Sequence, residues 1–416
     1  MGLKNASNPA IDINTCDAWR ISQGKNISVA VVDNGIYFPH LDLNPNIGSA
    51  GYDANSGTSG SVYIVGRPHG TRVAGIISAV RNNNKQIVGV SPKSKIIPIS
   101  HDLNNGTIPQ IVSDTFSAEL ASGISWAWEI ENADIINCSW YSNAGSLNSH
   151  LLEEAIINAI ENGRDRKGCV IVFVSGNFGN NGPSMIYPGN FDNRILTVGG
   201  VTQTGSRWFK SGYGDKLDVV APGVGIWTTS PEQNIIEEEG TSFAAPHVSG
   251  IAALILSVNP CLSGQQVRDI IEQTSQKIRT DVYTYLTNPS RPNGSWNNQM
   301  GYGLADARAA VQMARNMLVQ NPCEQGFQEP LQRSTLEIIA PNPVISFVNV
   351  HYNLVQANSA SLAIASQTGN GSVNTFHLDL HTKETTINLS NYLPGIYTIA
   401  LVVNGNVVDS KTLIKQ

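Results

Sequence analysis

The chain has 416 residues, 41% of them apolar and 14% charged, with a net charge of −6. That is too apolar for a disordered chain, long enough for two or three domains, and lacks the basic surplus that nucleic acid demands. No apolar run reaches the roughly 18–20 residues of a membrane helix, so no transmembrane segment is expected.

From residue 27 a pattern repeats: a short β-branched run, a polar loop, then a helical stretch. Ile27-Ser-Val-Ala-Val-Val reads as a buried strand ending at Asp33, and 95–99 as the next. A helix over 117–132 precedes a strand at 133–139. A helix over 151–163 precedes strands at 168–174 and 194–199. Three helices follow, at 242–258, 263–274 and 305–318. Apolar strands alternating with helices predict an α/β domain, a parallel sheet covered on both faces, ending near residue 320. Residues 321–333 are polar, with Pro322, Gly326 and Pro330, and read as a linker. Beyond it lie six short strand candidates, at 336–339, 347–352, 361–365, 385–389, 396–403 and 407–414. Turn signals separate them at Pro341-Asn-Pro343, Gly369-Asn-Gly371, Pro394-Gly395 and Asn404-Gly-Asn406. This predicts a small all-β sandwich over 334–416.

Five cysteines leave at least one thiol unpaired, and none has C-x-x-C spacing. Cys138 and Cys169 sit in apolar strands and read as buried thiols. Cys261 and Cys323, near the ends of helical segments, form a candidate disulfide. Met1-Gly-Leu-Lys-Asn5 lacks the apolar core of a signal peptide, which fits either a cytoplasmic protein or a trimmed form.

Three segments carry chemistry. Val31-Val-Asp33-Asn-Gly-Ile puts a carboxylate at the end of a parallel strand, where open α/β sheets place their sites; Asp-Asn-Gly is also plain turn chemistry. His69-Gly-Thr-Arg-Val-Ala-Gly opens a helix with a histidine, which by itself reads as a surface or capping residue. Gly240-Thr-Ser242-Phe-Ala-Ala-Pro-His places a serine where a glycine turn feeds a helix, a position whose dipole favours developing negative charge. A serine N-cap is the bland reading there. Pro246 reads as tolerated within the first turns of the helix. A nucleophilic serine needs a base, and the base needs an orienting carboxylate. The chain supplies Asp, His and Ser in that order, and lacks both G-x-S-x-G and H-E-x-x-H.

Together these segments resemble the subtilase family of serine proteases. Val88-Gly-Val-Ser-Pro, Asp134-Ile-Ile-Asn-Cys-Ser139, Val174-Ser-Gly-Asn177, Tyr187-Pro-Gly, Val219-Val-Ala-Pro-Gly223 and Gly301-Tyr-Gly-Leu-Ala-Asp-Ala extend the likeness over about 12–318. The resemblance implies a secreted endopeptidase in which Ser242 attacks, His69 is the base and Asp33 orients it. It assigns Asn177 and the Ser242 N–H to the oxyanion, and Ser139, Trp140, Tyr141 and Gly176 to the substrate. Two departures stand out. Ser139-Trp-Tyr-Ser142 replaces the family's Ser-Leu-Gly-Gly, so bulky rings either fill the specificity pocket or pack the strand end. Pro68 precedes the histidine where glycine is common. The family's inhibitory pro-domain is missing from this chain, which fits a processed or trimmed form. No cofactor is expected. A structural calcium, common in the family, would find alternating oxygen ligands at Asp42-Leu-Asn-Pro-Asn46, but a solvated turn is the preferred reading. The other histidines lack metal spacing, and His247 reads as packing on the Ser242 helix.

Ile339-Ala-Pro-Asn-Pro343, Leu389-Ser-Asn-Tyr-Leu-Pro-Gly-Ile-Tyr397 and Lys411-Thr-Leu-Ile-Lys415 resemble the C-terminal sorting domain of type IX secretion in Bacteroidota. A generic carbohydrate-binding or packing sandwich is the alternative. The sorting reading implies the type IX machinery as a partner and a secreted or cell-surface location in a Gram-negative bacterium. The overall expectation is a monomeric protease acting on polypeptides. The alternatives are an inactive subtilase-fold surface protein and a protease that processes only itself.

Overall fold

β-branched residues dominate the strands of the first unit, and their alternation decides which layer each side chain enters. A computed structural model describes residues 5, 8–85, 87–103, 114–142, 149–231, 233–320, 334–355, 357–366 and 373–416. The chain divides into two units, Met1–Cys323 and Glu324–Gln416. The linker read at 321–333, Cys323 and the Gly369–Gly371 turn lie outside the described residues.

The first unit begins with a short helix α1 (Thr15–Ala18) and builds a sheet of eight strands. These are β1 (Ser28–Asp33), β2 (Tyr52–Asp53), β3 (Thr58–Ser59), β4 (Lys95–Ser100), β5 (Ile135–Cys138), β6 (Val170–Val174), β7 (Leu196–Val201) and β8 (Val219–Pro222). Their order is β3-β2-β4-β1-β5-β6-β7-β8, and every pair is parallel except β2 with β3. The chain builds outward from β1 in one direction, then returns to its other side with β5. That reversal opens a crevice at the carboxyl ends of β1 and β5.

Along β1, Val29 and Val31 enter one core while Ala30 and Val32 enter the other. The first core is filled by helices α2 (His69–Ser78), α5 (Thr241–Val258), α6 (Gly264–Thr274) and α7 (Ala307–Gln320). The second is filled by α3 (Asp114–Glu129) and α4 (His150–Arg166). Full burial of each large aliphatic side chain in these layers is worth about 1.5–3 kcal/mol. Gly163, Arg164 and Asp165 leave helical geometry, so the regular part of α4 stops where the sequence placed its end. Ser263 and Gln266 form a reciprocal capping box that starts α6.

Two sequence expectations need correction here. α5 is long and apolar enough, by length and composition, to cross a membrane, with a mean hydropathy of 1.5. It is 89% buried inside the unit and acts as its central core helix. The 42–46 segment is a turn solvated only in part, with Asn44 and Pro45 exposed. Asp42 and Asn46 are buried, and the Asp42 carboxylate accepts hydrogen bonds from Asn83 Nδ2 (2.6 Å) and Ile87 N–H (3.3 Å). Asn46 Nδ2 donates to the Ser78 and Pro92 carbonyls, and Asn44 Nδ2 to that of Phe38. These groups tie neighbouring loops together. Among the described residues no group of three His, Cys, Asp or Glu side chains is placed to hold a metal ion.

Cys138 and Cys169 are buried free thiols, pushed upward in pKa by burial, Cys169 to about 12. Cys261 is in a disulfide, and Cys16 is free and exposed.

Two hairpins complete this unit: β9 (Val224–Thr229) with β10 (Ile235–Glu239), and β11 (Leu286–Asn288) with β12 (Arg291–Trp296). The second unit holds β13 (Thr335–Ala340), β14 (Phe347–Asn353), β15 (Ala360–Ser366), β16 (Asn374–His377), β17 (Glu384–Asn388), β18 (Gly395–Val403) and β19 (Asn406–Lys415). They form antiparallel sheets of order β13-β14-β17 and β16-β15-β18-β19 that share one core, including Val350, Tyr352, Leu362, Ile399 and Leu413. The sequence reading missed β16, whose polar Asn374 and Thr375 hide the alternation.

Candidate active site

β1 ends on Asp33, which is fully buried. Gly35 then turns at φ +78°, and a Cβ there would stand 1.9 Å from the Val62 carbonyl oxygen, so only glycine fits. α2 begins at His69, with Pro68 as its N-cap, so the proline directs the chain into the helix. Gly70 lets α2 approach β1. A Cβ at 70 would meet Gly35 O at 2.4 Å and Asp33 Cβ at 3.1 Å.

Both Asp33 carboxylate oxygens lie 2.9 Å from His69 Nδ1. The contact fixes the ring with its Nδ1 proton toward Asp33, leaving Nε2 as the basic nitrogen. Burial alone would depress the His69 imidazole. The Asp33 charge and hydrogen bond outweigh it, Glu238 adds to them and Arg72 opposes, so the pKa lies above the ordinary histidine value. The His69 ring rests 5.4 Å from that of Phe243, beside Ser242.

Ser242 is the second residue of α5, where the helix dipole and unbonded N–H groups favour an anion. Its hydroxyl donates to the Ser139 carbonyl at 2.8 Å, and its own carbonyl accepts from Ser139 Oγ at 3.0 Å. The second bond explains Pro246. This proline is the sixth residue of α5, in its second turn, where an N–H would ordinarily be bonded. Lacking an N–H, it leaves the Ser242 carbonyl without its helical donor, and Ser139 supplies one. Asn137 Nδ2 donates to Ser139 Oγ (2.9 Å), and Ser249 Oγ donates to Asn137 Oδ1 (2.8 Å). Asn137 and Ser249 went unnoticed in the sequence. The available signal was a buried amide inside the otherwise apolar Ile135-Ile-Asn-Cys strand.

Asn177 follows β6. Its Oδ1 accepts from Thr241 N–H (3.1 Å) and Thr241 Oγ1 (2.8 Å), which orients Nδ2 at the mouth of α5, beside the Tyr141 phenol. Gly240, at φ +143°, takes a backbone conformation that favours glycine, and it lies beside Asn177.

The two rings after Ser139 part company. Trp140 turns beneath the sheet, donates to the Val32 carbonyl (3.0 Å) and packs edge-on against Phe173. Tyr141 enters the opposite layer and meets Phe178 edge-on, centroids 5.9 Å apart. Gly176, at φ +90°, is covered by Ile186. The structure thus gathers Asp33, His69, Ser139, Asn177 and Ser242, with Tyr141 and Gly176 alongside, and leaves Trp140 as a packing residue.

A family model described as the subtilase family matches residues 24–303. The chain is a member of the subtilase family. It is 35% identical to subtilisin DY of Bacillus licheniformis over 264 residues, covering 63% of this chain and 88% of that protein. It is 34% identical to thermitase of Thermoactinomyces vulgaris over 262 residues, covering 63% and 85%. Among solved structures it superposes on a protease from Pseudoalteromonas arctica with a TM-score of 0.59 and 29% identity, covering 73% of this chain and 94% of that one. A model described as a secretion system C-terminal sorting domain matches residues 338–416. This subtilase is therefore a subtilisin-like serine endopeptidase carrying a sorting domain, as a secreted or cell-surface protein of the Bacteroidota type would.

Proposed function

We propose that this subtilase hydrolyses peptide bonds through an acyl-enzyme, with Ser242 as nucleophile, His69 as general base and then acid, and Asp33 as the group that holds the imidazole. Asn177 Nδ2 and the Ser242 N–H receive the oxyanion. The observation that carries this is the oriented pair: a histidine gripped by a buried carboxylate, beside an amide whose oxygen is already spent on Thr241. To act, Ser242 must exchange its bond to the Ser139 carbonyl for one to His69 Nε2. No step here draws on a metal or cofactor. The substrates are polypeptides met outside the cell, the protease acts as a monomer, and the type IX machinery reads the sorting domain.

The test is hydrolysis of a mixed fluorogenic peptide library by this chain and by Ser242→Ala. Activity lost in the variant supports the reading. No turnover by either protein would sink general proteolysis and favour an inactive or self-processing protein.

A further inference from the structure

A peptide carbonyl attacked by Ser242 has little freedom. Its carbon must lie about 3 Å from Ser242 Oγ and its oxygen near Asn177 Nδ2. The residue that donates the acyl group therefore sits beside Ser139, whose carbonyl touches Ser242 Oγ, and beside the chain just after β6. β5 and β6 are parallel neighbours, and past their ends the chain runs on as 139–142 and 175–178. The acyl residue's side chain must enter the space between those two extensions.

That space is taken from both walls. From one extension Tyr141 reaches across to Phe178 on the other. Its phenol approaches the side chain and backbone of Asn177, and burial raises it above its ordinary pKa. Ile186 fills the floor so closely that a Cβ on Gly176 would meet its Cδ1 at 2.5 Å. Ser142 N–H is bonded to the Tyr187 carbonyl at 3.0 Å, which ties the first wall to the segment carrying Ile186. Trp140 contributes nothing here, because its ring is committed to the other side of the sheet.

We infer that Tyr141, Phe178 and Ile186 close the acyl-side pocket, so that this protease cuts after glycine or alanine and rejects large side chains. This rests on the proteolytic reading above. A large ring could enter only by displacing Tyr141 from packed neighbours, and overpacking of that kind is strongly disfavoured. Discrimination of about 100-fold between alanine and phenylalanine is within what a closed pocket gives.

The experiment separates pocket from triad with three phosphonylating probes. A fluorophosphonate without a side chain reads the triad, and alanyl and phenylalanyl diphenyl phosphonates read the pocket. In the wild type the alanyl probe should react about 100-fold faster than the phenylalanyl probe. Tyr141→Gly should raise the ratio of phenylalanyl to alanyl rate at least tenfold, whatever it does to the two rates together. Ile186→Ala, a milder opening, should shift the ratio the same way and guards against a misfolded glycine variant. Equal reactivity of the two probes in the wild type, or a ratio unmoved in both variants, overturns the closed pocket while leaving the triad standing. Absence of labelling by the fluorophosphonate overturns the proteolytic reading, and the pocket assignment with it.

Discussion

Two buried aspartates stand at opposite ends of strands in the same sheet. Asp33 is the last residue of β1, and Asp218 immediately precedes β8. Asp218 is saturated: Oδ2 accepts from Thr197 N–H (2.7 Å), and Oδ1 from Arg268 (2.8 Å) and Arg291 (2.7 Å). Arg268 also pairs with Glu272, one turn along α6. Each of those donors keeps its proton under all ordinary conditions. Asp33 instead holds a histidine whose side chain is 27% exposed and can change charge. Burial of a carboxylate therefore says little by itself. The partner's capacity to release a proton distinguishes a catalytic site from a staple.

Replacing each aspartate should separate the two roles. Asp33→Asn should lower kcat by about 10⁴-fold, because the neutral amide stabilises the wrong histidine tautomer. Its melting temperature should hardly move. Breaking the staple with Arg268→Ala should cost about 3–5 kcal/mol in urea unfolding, since buried carboxylates lose their counter-charge, while kcat of the folded fraction persists. If the two variants instead affected rate and stability alike, the distinction would collapse.

Asn177→Ala should lower kcat by about 10²–10³-fold with little change in KM, a magnitude taken from a subtilisin rather than derived from this geometry. The pH profile sharpens the same contrast. His69 must be neutral to act as base, and its pKa is raised, so the acid limb of kcat/KM should lie above the ordinary histidine range. In Asp33→Asn that limb should move to lower pH.

Glu272 gives the smallest effect. Burial, with Asp218 nearby, raises its pKa, so the folded state holds this proton where the unfolded chain, ionising near about 4.3, has released it. The unfolded state then binds fewer protons, and stability falls as pH rises above the unfolded value toward the folded one. Unfolding free energies between pH 5 and pH 8 should show a steeper fall for the wild type than for Glu272→Gln. Matching slopes would remove Glu272 from the account.

The triad segments were readable because each combines a reactive residue with a backbone requirement: Gly35 and Gly240 mark the turns beside Asp33 and Ser242, and Gly70 the close approach of the His69 helix to β1. The parallel sheet covered on both faces followed from the alternation of apolar runs and helices. The staple was not readable, because Asp218, Arg268, Glu272 and Arg291 come from separate segments and only the Arg268–Glu272 helical spacing connects any of them. The fates of Trp140 and Tyr141 were hidden for another reason. Successive residues past a strand end face opposite layers, and neither ring's composition tells which layer has room.

Pro246 has a mechanical consequence. An ordinary helix would hold the Ser242 carbonyl through its own next turn, so fraying or bending along α5 would be felt at the nucleophile. With that bond handed to Ser139, the start of α5 is bolted to β5 instead. The position of the nucleophile is thereby referenced to the end of a strand in the middle of the sheet, on top of its own helix.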